Sequence, residues 1–358
     1  MATLRDIADQ LNISVPVVSR VLNGKTDVYA SEATRQRVFE VAQELGYRPS
    51  ASARALVTGR TMVIAVLVEE EQVEVSQRRQ LEIRGLVDAA ANHGYRVLVL
   101  PLRGGGAVEQ QVEHLIAEKI CDGFCLFADM ISEPLLHLLA RRRTRCVVIG
   151  DVEVGADSPE LRDLVVQVDI DNDLYARDSV GWLLAQGHEK ITWVQAFGEA
   201  DQPHALKLRA GYAAAMKEAG QNPHILPLLE DDEAIAAFAQ SGQATAVIVR
   251  GLHSLIRWIT VLRVAGAPLS QGFQLLAHLN MEELPFFLMS GQKPYAACHV
   301  YEPRAVERCA GDVLVRWIEG ETPAQHHILV SPSPPGRADE VWQEFQKSNT
   351  ARGATCGG

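Results

Sequence analysis

In the stretch Ser14-Val15-Pro16-Val17-Val18-Ser19-Arg20-Val21-Leu22, Arg20 is the only long side-chain donor. A guanidinium on an exposed helix face is the usual bidentate reader of a guanine edge. Further along, Leu56 is the single large apolar residue of Pro49-Ser50-Ala51-Ser52-Ala53-Arg54-Ala55-Leu56. A helix below about 12 residues is marginal in water, and this one has no apolar stripe with which to bury itself. It is therefore expected to fold on a partner.

Other suggestive groupings point to packing rather than chemistry. Gly104-Gly105-Gly106 has neither GxGxxG spacing nor a phosphate-binding lysine and reads as a flexible loop. Cys121-Asp122-Gly123-Phe124-Cys125 is not CxxC and spans an apolar run, and His326-His327 has no Cys, His or carboxylate cluster around it and reads as a solvated strand edge. Glu69-Glu70-Glu71 is either a solvated charge run or an attractor for a cationic or metal-bridged ligand. No nucleophile, base and oxyanion donor come together in the sequence, so no catalytic residues, cofactor or metal are expected.

The residues at the head must be positioned by short helices. Thr3 followed by Asp6 is a capping box, after which Leu4, Ile7, Ala8 and Leu11 form one apolar face. Asn12-Ile13 turns the chain, Ser14 starts a second helix through Leu22 with Pro16 in its first turn, and Ser31 opens a third that Gly46 stops. Two short helices joined by a tight turn and buttressed by a third make a helix-turn-helix.

Composition agrees with that division. The 358-residue chain is 47% hydrophobic and carries a net charge of −11, yet residues 1–60 hold eight Lys/Arg against six Asp/Glu. A slightly basic head on an acidic body fits a DNA-binding module attached to a domain that stays off the DNA. No apolar run approaches the ~18 residues of a membrane span and no signal-peptide pattern opens the chain, so a cytoplasmic protein is expected. The six cysteines are scattered and read as reduced packing residues.

The motifs Thr3-Leu4-Arg5-Asp6-Ile7-Ala8, Val18-Ser19-Arg20-Val21-Leu22-Asn23-Gly24, Gly46-Tyr47-Arg48-Pro49 and Ala53-Arg54-Ala55-Leu56 resemble the head of the lactose/galactose-repressor (LacI/GalR) family of bacterial transcription regulators. The resemblance implies that Val15, Pro16 and Arg20 face base edges, that Thr3, Ser14, Ser19, Asn23 and Tyr47 touch the DNA backbone, and that Ala53 and Leu56 form a minor-groove wedge. Position 17 is Val where the family usually has Thr, so direct readout leans on Arg20, apolar contacts and DNA shape.

From Met62 onward, strand-like runs alternate with helical stretches in two sets, the pattern of a two-lobed, doubly wound α/β body with parallel sheets. The expected organisation is a DNA-binding head over 1–48, a hinge helix and linker over 49–60, a periplasmic-binding-protein-like effector and dimerisation domain over 61–330, and a partly disordered tail over 331–358. In that fold ligands bind beyond the strand C-termini, in the cleft between lobes. The resemblance places effector-contacting positions at Glu70, Asp151, Leu208, Arg250 and Asn280. Leu208 stands where the family usually has an Arg, Arg250-Gly251 where it has Asn-Asp, and Leu279 beside Asn280 where it has a further Asp. Sugar hydroxyls need several convergent polar groups, so an effector other than an ordinary neutral sugar is expected.

The resulting expectation is a homodimeric regulator, a repressor, binding a pseudo-palindromic double-stranded operator under control of a small-molecule effector, with no membrane association. The alternative is an effector-free regulator controlled by a protein corepressor.

Overall fold

The computed structural model describes residues 2–22, 30–47, 55–56, 58–69, 77–102, 108–152, 161, 163–196, 202–229, 231–267, 269, 272–290 and 295–354. The chain divides into two compact units, Met1–Met62 with Lys119–Cys121, and Val63–Glu118 with Asp122–Gly358.

The head unit contains α1 (Leu4–Leu11), α2 (Val15–Leu22) and α3 (Glu32–Glu44). The capping box is formed: the Asp6 amide donates to Thr3 Oγ1 at 3.3 Å and the Thr3 amide to Asp6 Oδ2 at 2.8 Å. The Thr3 amide, and after it the Thr3 hydroxyl, which donates to Asp6 Oδ2 at 2.9 Å, hold the Asp6 carboxyl below its ordinary pKa. Asn12 ends α1 in the left-handed region at φ 54°, which its short polar side chain tolerates, and this turns the chain into α2. Ser31 caps α3 by accepting from the Thr34 amide at 3.2 Å. Ile7, Ala8, Val18, Val21, Val38, Val41 and Ala42 are buried together as the core. Leu45, just past the end of α3, is 37% exposed.

In the second unit β1 (Val63–Glu69), β2 (Arg96–Leu102), β3 (Gly123–Phe127), β4 (Cys146–Ile149) and β5 (Val165–Ile170) form the first lobe's parallel sheet with α4 (Gln77–Asn92), α5 (Val108–Ala117) and α6 (Glu133–Arg142). The chain then crosses at Asp171, whose carboxylate caps α7 (Asn172–Ala185) by accepting from the Leu174 amide at 2.9 Å. The second lobe follows with β6 (Ile191–Val194), α8 (Pro203–Glu218), β7 (His224–Leu226), α9 (Asp232–Gln240), β8 (Ala246–Arg250), α10 (Leu252–Val264), β9 (Gln274–Asn280), α11 (Glu283–Met289) and β10 (Ala296–Tyr301).

The chain crosses back at Glu302 to lay α12 (Pro303–Glu319) against α4 and add β11 (His327–Val330) in parallel beside β5. A third crossing, through 331–335, returns it to the second lobe as β12 (Gly336–Arg337), antiparallel to β10, and α13 (Ala338–Ala354). The sheet orders are β11-β5-β4-β3-β1-β2 and β12-β10-β9-β8-β6-β7. Backbone bonds tie the crossings together: the Asp171 amide donates to the Val330 carbonyl at 2.9 Å and the Ser333 amide to the Val300 carbonyl at 3.1 Å.

Part of the segment expected as a tail, residues 336–345, joins the second lobe. Ala338 and Val341 are buried in the second lobe's core with Trp342 and Phe345 packed on it. The spacing 338, 341, 342, 345 is one apolar helix face, which a search for heptad leucines passes over. Cys125, Cys146 and Cys298 are buried free thiols, while Cys121 and Cys309 are half-buried. His327 is exposed on the edge strand β11, as a solvated edge requires.

Candidate DNA-binding face and effector cleft

α2 has two unlike faces. Val18 and Val21 are buried, whereas Val15, Pro16 and Arg20 stand in solvent. Among the described residues Arg20 has no ion-pair partner, so its guanidinium is available to an outside acceptor. Thr3 and Ser14 are exposed, while Ser19 and Tyr47 are half-buried at the rim of the head. Leu56 is 89% exposed. Asn23 and Ala53 lie outside the described residues.

Between the lobes, at the C-terminal ends of the strands, is a cavity of about 340 Å³. Its first-lobe wall includes Arg79, Glu82, Phe127, Asp129, Asp151 and Asp169; the second lobe supplies Tyr175, Gln202, His204, Arg250 and Tyr301. The Arg79 guanidinium stacks 3.5 Å from the Phe127 ring centroid. It pairs with Glu82 at 3.0 Å and Asp129 at 3.3 Å, which fixes its plane. Burial raises the Asp169 carboxyl pKa, against the opposing bond from the Ile170 amide at 2.8 Å.

Gly150, at φ 99°, makes the turn that brings Asp151 to the cavity, and a side chain there would also press on the Ala128 Cβ at 3.1 Å. The turn is pinned by the Gly150 amide on the Val168 carbonyl at 2.9 Å and the Gln167 side-chain amide on the Val152 carbonyl at 2.9 Å.

Tyr175 faces the cavity with its ring, because its hydroxyl is turned into the second lobe and donates to the His299 carbonyl at 2.6 Å. Behind it, Ser179 Oγ donates its one proton to the Tyr175 carbonyl at 3.0 Å. Both imidazoles touching Ser179 at 2.7 Å must then donate to it, His278 through Nε2 and His299 through Nδ1. This leaves His278 Nδ1 and His299 Nε2 as buried lone pairs without a hydrogen-bond partner among the described residues. Burial keeps both rings neutral, with His299 lowered to about 3 and His278 well below the usual histidine range.

Of the effector positions expected from sequence, the fold brings Asp151 and Arg250 to one cavity. Leu208 is not on its wall: it is fully buried with Trp193, Tyr212 and Met216 in the second lobe's core, because α8 meets the cavity with its first turn, at Gln202, Pro203 and His204. Asn280 is spent locally, its side chain accepting from the Glu283 amide at 2.9 Å while Glu283 accepts from the Asn280 amide at 2.9 Å. Glu70 lies outside the described residues. Arg79, Glu82, Phe127, Gln202 and Tyr301 went unrecognised in the sequence, since each lies on an otherwise ordinary element with no motif around it. Among the described residues no three His, Cys, Asp or Glu side chains gather as a metal site, and no helix is long and apolar enough to cross a membrane.

A helix-turn-helix head joined to a two-lobed α/β body is the architecture of a DNA-binding transcription regulator. The family model described as "Bacterial regulatory proteins, lacI family" matches residues 3–50, and that described as "Periplasmic binding proteins and sugar binding domain of LacI family" matches residues 61–245. The chain belongs to the LacI family. It is 26% identical to the HTH-type transcriptional regulator MalR of Staphylococcus xylosus, over 67% of this chain and 68% of that one. It is 27% identical to the HTH-type transcriptional repressor PurR of Photobacterium profundum, over 80% of this chain and 84% of that one. The lac repressor dimer bound to operator and the anti-inducer ONPF has the same fold, with a TM-score of 0.67 at 16% identity, covering 94% of this chain and 99% of that one. The relatives are transcription regulators, not enzymes.

Proposed function

We propose that this chain is a cytoplasmic repressor that binds a pseudo-palindromic operator as a homodimer and is controlled by a small polar effector in the interlobe cleft. The observation that carries the DNA half is the split of α2, with Val18 and Val21 in the core and Val15, Pro16 and Arg20 in solvent. Leu56, exposed on the segment that follows the head, supports a wedge role.

The effector half rests on the cavity's polar lining. By the family resemblance, hydroxyl-binding groups are missing at 208, 250–251 and 279. Arg79, Asp129, Asp151, Gln202 and His204 offer donors and acceptors from other positions, so hydroxylated and amino-bearing ligands both remain compatible with the wall.

Selection of genomic fragments by the full chain tests the first half. One enriched two-fold symmetric sequence, bound at least ~10³-fold more tightly than random DNA at physiological salt, is expected; binding without sequence preference would overturn it. Thermal-shift screening then tests the second half: an effector raises the melting temperature through RT ln(1 + [L]/Kd) and changes operator affinity, and Asp151→Ala or Arg250→Ala abolishes both effects.

A further inference from the structure

Across the cleft, Lys207 Nζ of the second lobe lies 2.8 Å from Asp151 Oδ2 of the first. We propose that Lys207, through the carboxylate of Asp151 that lines the effector cleft, latches the two lobes together in the absence of effector, and that an effector engaging Asp151 must displace or share its ammonium. The inference deepens the reading of the cleft as the effector site.

Both ends of the pair are held by their own lobes. Asp151 follows Gly150, whose turn is bonded to β5 and closed by Gln167, and its side chain is only 17% exposed. Lys207 sits in the second turn of α8, beside Leu208, which anchors that helix in the core. The helix is fastened to its sheet again by the Tyr212 hydroxyl, which donates to the Ile191 carbonyl at 2.8 Å and accepts from the His224 amide at 2.9 Å. With both backbones held, the 2.8 Å contact persists only while the lobes stay within reach of the lysine side chain. Lobe opening beyond that reach breaks it.

The surrounding charge has the same sense. Asp169 lies on the first lobe close enough for Asp151, Lys207 and His204 all to act on its carboxyl, so two first-lobe acids face two second-lobe bases on one side of α8. A second interlobe pair, Glu282 with Arg304 at 3.6 Å, sits beside the crossing at Glu302, where lobe motion displaces it least. The Asp151 pair places a cation at a carboxylate that lines the effector cavity.

The test needs no effector, so its failure is separable from failure of the cleft reading. Amide hydrogen exchange of the full chain is followed at residues 149–152 and in the first turns of α8, with the radius of gyration from small-angle scattering. Lys207→Met, Asp151→Asn and the charge reversals Lys207→Asp and Asp151→Lys are each expected to speed exchange at both segments roughly two- to fivefold and to enlarge the particle. The double reversal Asp151→Lys/Lys207→Asp is expected to restore both readouts. Single variants that exchange like the parent chain, or a double reversal as open as the single ones, would overturn the latch.

Discussion

Replacing Leu56 with alanine separates DNA recognition from folding more cleanly than any other change in the head. The side chain is 89% exposed in the free protein, so its loss alters folding stability by no more than about 0.5 kcal/mol. On an operator it would be inserted into a base step. Leu→Ala removes three carbons at about 0.8 kcal/mol each, or ~2.4 kcal/mol per protomer and ~5 kcal/mol for a dimer. The wedge must first unstack that step at a cost of a few kcal/mol, and the variant is spared it. The net loss is then about 2–3 kcal/mol, roughly a 30- to 150-fold rise in Kd. Fluorescence anisotropy on a selected operator and on a random duplex of equal length measures it, with electrophoretic phasing to read bending. Specific affinity and bend angle should fall while random-duplex binding stays within about twofold, because phosphate contacts alone hold the latter. Equal loss on both duplexes, or an unchanged operator Kd, would refute the wedge.

Arg20→Ala should cost about 1–3 kcal/mol on the operator and relax preference at one base per half-site; a uniform loss with a shallower salt slope would reassign it to phosphate. In the body, Gly85→Ala sets a Cβ 2.9 Å from the Arg304 carbonyl and the Glu307 Cβ and should lower stability in urea by about 1–3 kcal/mol. Gly181→Ala, inside α7 with nothing within 4 Å, should be neutral or add up to about 1 kcal/mol. His299 titrates near 3 when folded against 6.5 in the unfolded chain, so the unfolded state binds more protons between those values and stability falls as pH drops below 6.5. Lowering pH from 6.5 to 5 should cost about 2 kcal/mol through this residue alone, and a His299→Gln variant should show a shallower slope in urea melts across that range.

The strands through β9 were legible because parallel strands buried on both faces read as short apolar runs, as in Val63–Glu69 and Cys146–Ile149. β10 was not: Ala296–Tyr301 is built from alanine, cysteine and histidine rather than branched aliphatics, and of His327–Val330 only the exposed edge at His327 was marked. Periodicity reports which face is buried, never which sheet a strand joins, so the three crossings at Asp171, Glu302 and 331–335 had no local signature. The cleft shows the same limit. Asp151 was recognisable as a polar residue closing a strand, but Leu208 was misplaced by about one helical turn, since the first turn of α8, not its middle, meets the cavity. Position along an element decides what reaches a cleft, and that depends on how far each helix projects beyond its sheet.

Those crossings also decide what an effector can do. Each lobe has its own close-packed interior, with Tyr175, Trp193, Leu208 and Tyr212 buried in the second and Ile64, Phe124 and Leu126 in the first. Close-packed interiors deform little, so ligand energy in the cleft goes mainly into lobe orientation about the three crossings. A ligand shifts that orientation only by the difference between its affinities for the two arrangements. Taking the lobes from 10:1 closed to 1:10 needs a hundredfold preference, about 2.7 kcal/mol. A partly exposed pair such as Asp151–Lys207 contributes at most about 1 kcal/mol, so one well-placed ligand group at Asp151 is enough to compete with it. The proposed latch would therefore bias the resting state without locking it.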